Sequence, residues 1–436
     1  MNKKIFTIGI ALLIVAVVGA TAALFLFPYQ PDQPPRADDT GFTQEGIDDV
    51  VSANNQFALE LYSDLAGTEG GNIFFSPYSI SAALAMTYEG AKGQTAEEIK
   101  YVFHFPEEEI LRPNFAAIYN SINEDGKEYE LSTGNALWAQ YDYKFLEDYT
   151  SRVEKYYGGK AANLDFIDET EESREIINTF IEKQTKDKIK DLIPTGVLSP
   201  MTRLVLTNAV YFKGTWKNEF DRSDTRDMDF KVTPDKIVKT PMMYMKSEKA
   251  LNYAELDTMQ ILELPYKGDD VSMLILLPKQ GEAYDSETGE SVVYDYSLED
   301  IELTPEKLEI YRMMAEFRSS GDITVYLPKF EFDAKYSLAD KLIAMGMPTA
   351  FGFGADFSGM DGTHELYISS VIHQAYVKVD EKGTEAAAAT AVSFGATSAI
   401  KMPKIFRADH PFIFIIQQKK TGNILFMGRM TDPTMQ

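Results

Sequence analysis

The chain has 436 residues, 44% of them hydrophobic, which is enough apolar material for one large domain or two ordinary ones. Its formal net charge is −25 and no dense run of Lys and Arg interrupts the acidic background, so nucleic acid binding is disfavoured. The absence of cysteine excludes disulfides, thiolate catalysis and cysteine metal sites.

The N-terminal sequence predicts that the protein is exported. Lys3 and Lys4 precede an uncharged apolar stretch of 23 residues, Ile5 to Phe27, which is long enough to cross a bilayer once and places the rest of the chain outside. The alternative is a cleaved signal peptide, because Ala20-Thr21-Ala22 forms a small-x-small cleavage site. Residues 1–27 are therefore predicted to be a signal anchor or a signal peptide. We expect either a single-pass protein whose domain lies on the extracellular side of the cell membrane or a secreted protein.

Residues 28–43 are rich in Pro, Asp and Gln and predict a solvated linker. The folded domain is expected to span residues 44–436. Its first half reads mainly as helices, with helical periodicity from Val50 to Leu65 and a helix that opens at Ser76-Pro77. Thr95 to Glu98 resembles a capping box and predicts the start of another helix.

The second half of the domain reads mainly as strands. Glu172 to Lys190 is still helical in pattern, whereas Leu204 to Lys213 predicts a strand that is buried on both faces. Residues 280–300 are acidic and predict a surface insertion. The later strands are expected at Met259–Leu264, Val271–Leu277, Asp322–Phe330, Ala375–Val379, Phe412–Gln417 and Ile424–Met427. Helices early and strands late indicate the α+β class.

No catalytic motif is found. No pair of the four histidines has metal-ligand spacing, and neither a G-x-S-x-G elbow nor a Walker loop is present. The sequence therefore predicts no catalytic residue, no metal and no cofactor. The many Asp and Glu residues leave open an acid–base hydrolase of unrelated fold, although no carboxylate pair stands out.

The most unusual segment is Asp380 to Val392, which contains four consecutive alanines. Four alanines after a glutamate favour a helix. The flanking sequences do not favour a helix, because Ala375 to Asp380 alternates like a strand and Ser393 to Ser398 is typical of an exposed loop. Small residues between a strand and a loop allow a segment to change its structure.

This segment resembles the hinge of inhibitory serpins. Other motifs of that family occur in the same order as in the family, and the resemblance runs from about Val50 to Pro433. These motifs are Asn72–Ser81, similar to the start of helix B, Thr207–Trp216, similar to strand 3 of the central sheet, and the C-terminal pair His410–Phe414 and Gly422–Arg429. The resemblance implies a serpin fold with a large central β-sheet, two smaller sheets, about nine helices and an exposed reactive-centre loop near residues 381–402.

The resemblance also implies a function. A serpin of the inhibitory type is cleaved by a serine protease, forms a covalent acyl complex, and inserts its cut loop into the central sheet before the protease can deacylate. The chain would thus be an inhibitor and not an enzyme.

The hinge residues implied are Glu381, Gly383, Thr384, Ala386, Ala387, Ala388, Ala389 and Thr390. On insertion, Thr384, Ala386, Ala388, Thr390 and Val392 would face the interior. A non-inhibitory serpin that acts as a chaperone or carrier is the alternative, although no bulky, charged or proline residue interrupts the hinge from Ala386 up to Phe394.

Two clusters would control insertion if this chain follows the family. A shutter beneath the sheet would contain Ser76, Ser79, Asn208 and His373. A breach, where insertion begins, would contain Trp216, Gly383 and Glu381.

The family's usual spacing from Gly383 places the reactive bond at Thr397–Ser398, and spacing from Pro411 would instead place it nearer Ile400–Lys401. The first position predicts elastase-like or subtilisin-like targets, because the surrounding side chains are small. The stretch that corresponds to the family's heparin-binding helix, near Pro106 to Glu130, is acidic, so no heparin binding is expected. We expect a monomer.

Overall fold

The computed structural model describes residues 36–124, 126–247, 250–284, 291–318, 323–384 and 404–435. These ranges contain nine α-helices and nineteen β-strands. The helices are α1 (Gln44–Thr68), α2 (Pro77–Tyr88), α3 (Gly93–Phe103), α4 (Glu108–Ile122), α5 (Glu147–Tyr157), α6 (Thr170–Gln184), α7 (Pro305–Phe317), α8 (Ala339–Met345) and α9 (Ser358–Asp361). The strands are β1 (Ile73–Phe75), β2 (Tyr129–Thr133), β3 (Ala136–Gln140), β4 (Lys160–Leu164), β5 (Leu204–Thr215), β6 (Arg226–Thr233), β7 (Lys236–Ser247), β8 (Asn252–Glu255), β9 (Met259–Pro265), β10 (Val271–Pro278), β11 (Gln280–Tyr284), β12 (Ser291–Asp295), β13 (Ile323–Pro328), β14 (Phe330–Ser337), β15 (Ile368–Asp380), β16 (Gly383–Thr384), β17 (Lys404–Arg407), β18 (Phe412–Gln418) and β19 (Ile424–Met430).

A seven-stranded sheet forms the centre of the molecule. Its strand order is β14-β15-β16-β5-β3-β4, and β2 pairs with the end of β5 that β3 leaves free. Strands β5 and β15 run parallel through eight register pairs, from Leu204 with Ile368 to Tyr211 with Tyr376. We call this parallel pairing the seam. The other partners of β5 and β15 are all antiparallel to them, so the seam is the exception within this part of the sheet.

Three further sheets complete the fold. One has six strands in the order β1-β19-β18-β10-β9-β8, and one has four in the order β17-β13-β7-β6. The fold therefore matches the expected α+β class with a large sheet and two smaller ones. The predicted insertion at residues 280–300 contains the hairpin β11–β12, which forms a separate two-stranded sheet.

The sheet is covered on both faces, which explains the continuous burial of β5 that its sequence predicted. On the inner face, all twelve residues of α2 are buried, and eight of them belong to the main hydrophobic core. On the outer face, α6 packs through Ile177 and Ile181 against a second core that includes Trp138 and Val205. Apolar side chains on both sides of a strand make it a near-continuous hydrophobic run.

Two helix boundaries differ from the expectation. The prediction that a capping box at Thr95 starts the helix was wrong. Helix α3 begins at Gly93, and the Thr95 hydroxyl instead accepts a hydrogen bond from the backbone N–H of Asp356. Helix α6 ends at Gln184 rather than at Lys190. Lys186, Asp187 and Asp191 have φ angles of 52°, 60° and 48°, a left-handed conformation that cannot continue a right-handed helix.

Residues 36–43, the last part of the expected linker, pack against the domain. The Asn120 side chain of α4 accepts a hydrogen bond from the N–H of Ala37 at 2.8 Å and donates one to its carbonyl at 2.9 Å. Asp38 forms an ion pair with Lys155 of α5 at 3.0 Å. The apolar stretch Ile5 to Phe27 lies outside the described residues, and within them no helix is both long and apolar enough to span a membrane.

Candidate functional site

The chain makes a tight turn where β15 ends, and the turn leads it back into the mouth of the seam. Beyond Tyr211 and Tyr376, strands β5 and β15 no longer pair with each other, and β16 lies between them. Gly383 pairs with Asp380 on one side and with Thr215 on the other. A third strand has therefore begun to form between the two, antiparallel to both.

Gly383 is required at this turn by both conformation and space. Its φ angle is 149°, which side chains rarely tolerate, and a Cβ atom would lie 2.0 Å from the carbonyl oxygen of Gly214. Gly383 therefore allows the backbones of β16 and β5 to approach closely enough to pair.

An aromatic pair secures the first inserted residue. The ring of Trp216 stacks on Tyr266 at a centroid distance of 4.5 Å, and its indole N–H donates to the carbonyl of Asp380 at 3.0 Å. The Tyr266 hydroxyl is hydrogen-bonded to the Thr384 hydroxyl at 2.8 Å, and Thr384 is only 1% exposed. Thr384 thus already occupies an interior position of the sheet.

Glu381 fastens the turn from the other side. Its carboxylate accepts hydrogen bonds from Lys329 at 2.8 Å and from the Thr225 hydroxyl at 2.9 Å. Burial alone would raise the pKa of this carboxyl, but the hydrogen bonds from Lys329 and Thr225 outweigh it and lower the pKa below the ordinary value. Glu381 is therefore ionised near neutral pH.

The predicted shutter residues meet in one buried cluster beneath the seam. The Ser76 hydroxyl donates to the carbonyl of Leu425 at 2.7 Å and accepts from the N–H of Ser79 at 3.2 Å. The amide of Asn208 donates to the carbonyl of Ser79 at 2.6 Å and, across the cluster, to Oδ1 of Asn135 at 2.7 Å. The cluster ties β5 to α2 and α2 to β19.

His373 connects this cluster across the seam. Its Nε2 accepts from the backbone N–H of Ser76 at 3.1 Å, so the proton of the neutral ring must lie on Nδ1, which donates to Oδ1 of Asn208. Asn208 and His373 are register partners on β5 and β15. Complete burial lowers the pKa of His373 to about 3, so the ring is neutral at ordinary pH.

The structure thus brings together those predicted residues that it describes. Of the predicted breach residues, Glu381 and Gly383 belong to the turn after β15, and Trp216, which follows β5, donates to Asp380 at its start. The four predicted shutter residues form the cluster beneath the seam. The predicted hinge residues Ala386, Ala387, Ala388, Ala389 and Thr390 and the predicted bond Thr397–Ser398 lie outside the described residues.

Several residues of the site were missed from the sequence. Asn135 lies between β2 and β3, and Tyr266, Lys329 and Thr225 belong to segments that meet the turn only in the folded sheet. None of them stands in a motif. They lie just outside named strands, and the folded sheets bring them to the site from segments far apart in the chain.

Comparison with known proteins agrees with this geometry. A family model described as Serpin (serine protease inhibitor) matches residues 52–433. The chain belongs to the serpin family. The central sheet, the accessory sheets and the helices described above are the fold of that family.

Relatives of this serpin occur in archaea and in animals. An uncharacterized serpin-like protein of Thermococcus kodakarensis is 45% identical over 388 residues, which is 88% of this chain and 86% of the relative. Human leukocyte elastase inhibitor is 38% identical over 390 residues, covering 89% of this chain and 100% of the inhibitor. The crystal structure of human thyroxine-binding globulin complexed with thyroxine superimposes with a TM-score of 0.76 and 31% identity, covering 89% of this chain and 100% of that one.

Proposed function

We propose that this serpin inhibits a serine protease as a suicide substrate, by inserting its cleaved loop into the seam. The observation that carries the proposal is the pairing of β16, which already runs antiparallel to both β5 and β15 at the open end of the seam. A strand that grows from Thr384 needs only to separate the remaining eight pairs.

The observed register predicts where each inserted residue would lie. Thr384 pairs with Gly214 and Val379. Six residues further along an uninterrupted antiparallel strand, Thr390 would lie between Asn208 and His373. Insertion would then replace the hydrogen bond between those two side chains, and the Thr390 hydroxyl could bond to either of them.

The energetics favour the inserted state. Parallel pairing is slightly less stable per residue than antiparallel pairing, and an inserted strand would have antiparallel neighbours on both sides. The inward positions would be filled by small or β-branched residues without charge, which fit between β5 and β15 without a buried unpaired group. The intact protein would therefore store free energy that cleavage releases, a type of switch for which serpins are a standard example.

The proposed reactive bond is Thr397–Ser398, and the proposed targets are elastase-like or subtilisin-like proteases. The residues Ala396 to Ala399 are all small and fit a shallow specificity pocket. A relative 38% identical to this chain is named for inhibition of leukocyte elastase, which supports this class of target.

We further infer that the protein acts outside the cell, held by residues 1–27 as a membrane anchor or released after their cleavage. The basis is the run from Ile5 to Phe27 behind two lysines. Immunoblotting of membrane and culture-medium fractions, with N-terminal sequencing of the released form, tests this inference. An unprocessed protein in the soluble cell fraction would contradict it.

The test of inhibition is a panel of serine proteases mixed with the purified protein. We expect an SDS-stable complex with an elastase-like or subtilisin-like enzyme. Mass spectrometry of the C-terminal fragment should identify Ser398 as its first residue, and a fragment that begins at Lys401 or Met402 would reassign the bond. Cleavage without a complex for every enzyme would favour a carrier or chaperone.

A further inference from the structure

The connection between α6 and β5 crosses the outer face of the seam. We call residues 185–203 the strap. The strap contacts strands on both sides: Lys186 forms an ion pair with Glu130 of β2 at 2.5 Å, and Lys335 of β14 donates to the carbonyl of Asp191 at 3.1 Å. The first contact lies on the β5 side of the seam and the second on the β15 side.

Lys188 lies between these two contacts, over the seam itself. Its Nζ is 5.7 Å from the ring centroid of Tyr211 and 5.8 Å from that of Tyr376. Both distances are within the range of about 6 Å over which an ammonium group is attracted to an aromatic face. Tyr211 and Tyr376 are the last register pair of the seam, next to the point where β16 enters.

The backbone holds Lys188 in this position. Lys186 and Asp187 both have left-handed φ angles, which sets a fixed turn directly before it. The Lys188 N–H donates to the carbonyl of Thr185 at 3.0 Å, and the Thr185 hydroxyl accepts from the N–H of Ile189 at 3.2 Å. Ile189 is buried in the outer core, so the strap is anchored on the residue that follows Lys188.

We propose that Lys188 is a latch on the seam, a positioning residue that holds Tyr211 and Tyr376 together and so sets the rate at which a strand can enter. The proposal rests on the proposed function and assigns its regulation. An inserted strand would move the two rings apart by about 4.8 Å, one strand spacing. The two centroids are now 6.2 Å apart, so an ammonium group could then stay within about 6 Å of both only at the midpoint between them, which the inserted strand would itself occupy. If the strand continued in the register of Thr384, Ala387 would enter between the two tyrosines, so insertion would break the latch after only three residues beyond Thr384.

The latch can be tested without a protease. A synthetic peptide with the sequence of residues 385–397 is mixed with the intact full-length protein, and its rate of incorporation is followed by native gel mobility. Lys188→Met retains the apolar stem and removes the charge, and we expect incorporation about threefold faster, as the loss of an exposed cation–ring contact predicts. Lys188→Arg should restore the wild-type rate.

Matched variants separate the latch from general loosening of the strap. Lys190→Met removes an exposed charge two residues away and should leave the rate unchanged. In a Tyr376→Leu background, Lys188→Met should have no further effect. The latch is overturned if Lys188→Met equals Lys190→Met, or if its effect persists undiminished without the Tyr376 ring.

A second measurement distinguishes the latch from the inhibitory function. Lys188→Met should lower the thermal midpoint of the intact protein but not that of the loop-cleaved, inserted protein, where the contact is already broken. Equal lowering of both midpoints contradicts the latch. Failure of the wild-type protein to trap any protease would overturn the proposed function instead, and the two results are read in separate assays.

Discussion

His373 can hold the two sides of the seam together only as a neutral ring. Protonation would place a second N–H opposite the backbone N–H of Ser76, which needs an acceptor. Because burial lowers the pKa of His373 from 6.5 to about 3, the native state binds fewer protons than the unfolded state between these pH values. Its contribution to stability is therefore complete above pH 6.5 and is lost as the pH falls towards 3.

We expect the unfolding free energy to fall by up to about 2.7 kcal/mol between pH 6.5 and 4.5 on account of this residue, at about 1.36 kcal/mol per pH unit. Urea unfolding of wild-type protein and of His373→Gln across this range measures it. The Gln variant keeps an acceptor for Ser76 but has no titrating group, so its profile should be flatter. Identical profiles would show that His373 does not titrate as described.

A second prediction concerns Thr384, the first residue of the hinge that is already inside the sheet. Thr384→Arg should convert the inhibitor into a substrate, because an unpaired charge at this already buried position costs several kcal/mol, which would keep β16 out of its place between β5 and β15 and prevent insertion from starting there. The matched control is Glu385→Arg, which would place the same charge on the outer face and should preserve trapping. Gel assays of complex against cleaved protein measure the partition. Unchanged trapping by Thr384→Arg would refute the hinge register.

Individual site residues could be predicted from the sequence where they belong to a motif of the family. Ser76, Ser79, Asn208 and His373 could be placed in one cluster by resemblance, and they do meet. Asn135 and Tyr266 could not, because their roles depend on the register of strands that are distant in the chain.

Among the elements, the C-terminal end of α2 joins two other helices through one buried carboxylate. The side chain of Glu89 is fully buried and forms a bidentate pair with Arg112 of α4, at 2.7 and 2.8 Å. It also accepts from Arg152 at 3.1 Å and from the Tyr157 hydroxyl at 2.9 Å, both on α5. Buried ion pairs are costly to break, because the remaining partners lose their counter-charge.

We therefore expect Glu89→Gln to lower the unfolding free energy by about 3 kcal/mol. The control is Glu108→Gln, which removes a more exposed partner of the same Arg112 and should cost less than about 1 kcal/mol. Chemical denaturation of both variants at pH 7 is the measurement. Similar losses would show that the buried carboxylate has no special part in holding α4 and α5.

The elements themselves were predictable to differing degrees. The apolar run of β5 predicted its burial because both faces of that strand are covered. The end of α6 was predicted six residues too late, because the charged sequence after Gln184 is compatible with a helix and only the strap's packing on the sheet bends it. Strand β14 was recognised only at its first residue, Phe330. Its later residues alternate buried and exposed and carry several charges.

For the whole molecule, we expect the loop-cleaved protein to melt at a much higher temperature than the intact one. Cleavage would allow the loop to become a full strand and would replace the parallel seam with antiparallel pairs. Calorimetry before and after limited proteolysis of the loop measures the shift, with Thr384→Arg as the non-inserting control. Equal midpoints for intact and cleaved wild-type protein would mean that no strand enters the seam.

The fold as a whole followed from the order of four motifs, which is why the α+β class and the large sheet were predictable. The packing of residues 36–43 on α4 and α5 was not, since it depends on the match of Ala37 to the Asn120 side chain rather than on any pattern. Composition distinguishes a polar linker from a core but does not reveal a docking contact.

The position of the last strands has a consequence for the cut molecule. Strand β18 lies between β10 and β19, and β19 pairs with β1. The part of the chain after the proposed bond therefore supplies two interior strands of the six-stranded sheet. Cleavage makes it a separate polypeptide held there without a covalent link. Unfolding of the cut form is then a dissociation, and its midpoint should rise with protein concentration, whereas that of the intact chain should not. After unfolding and dilution, the cleaved inhibitor can refold only if its two fragments reassociate, which is a bimolecular step.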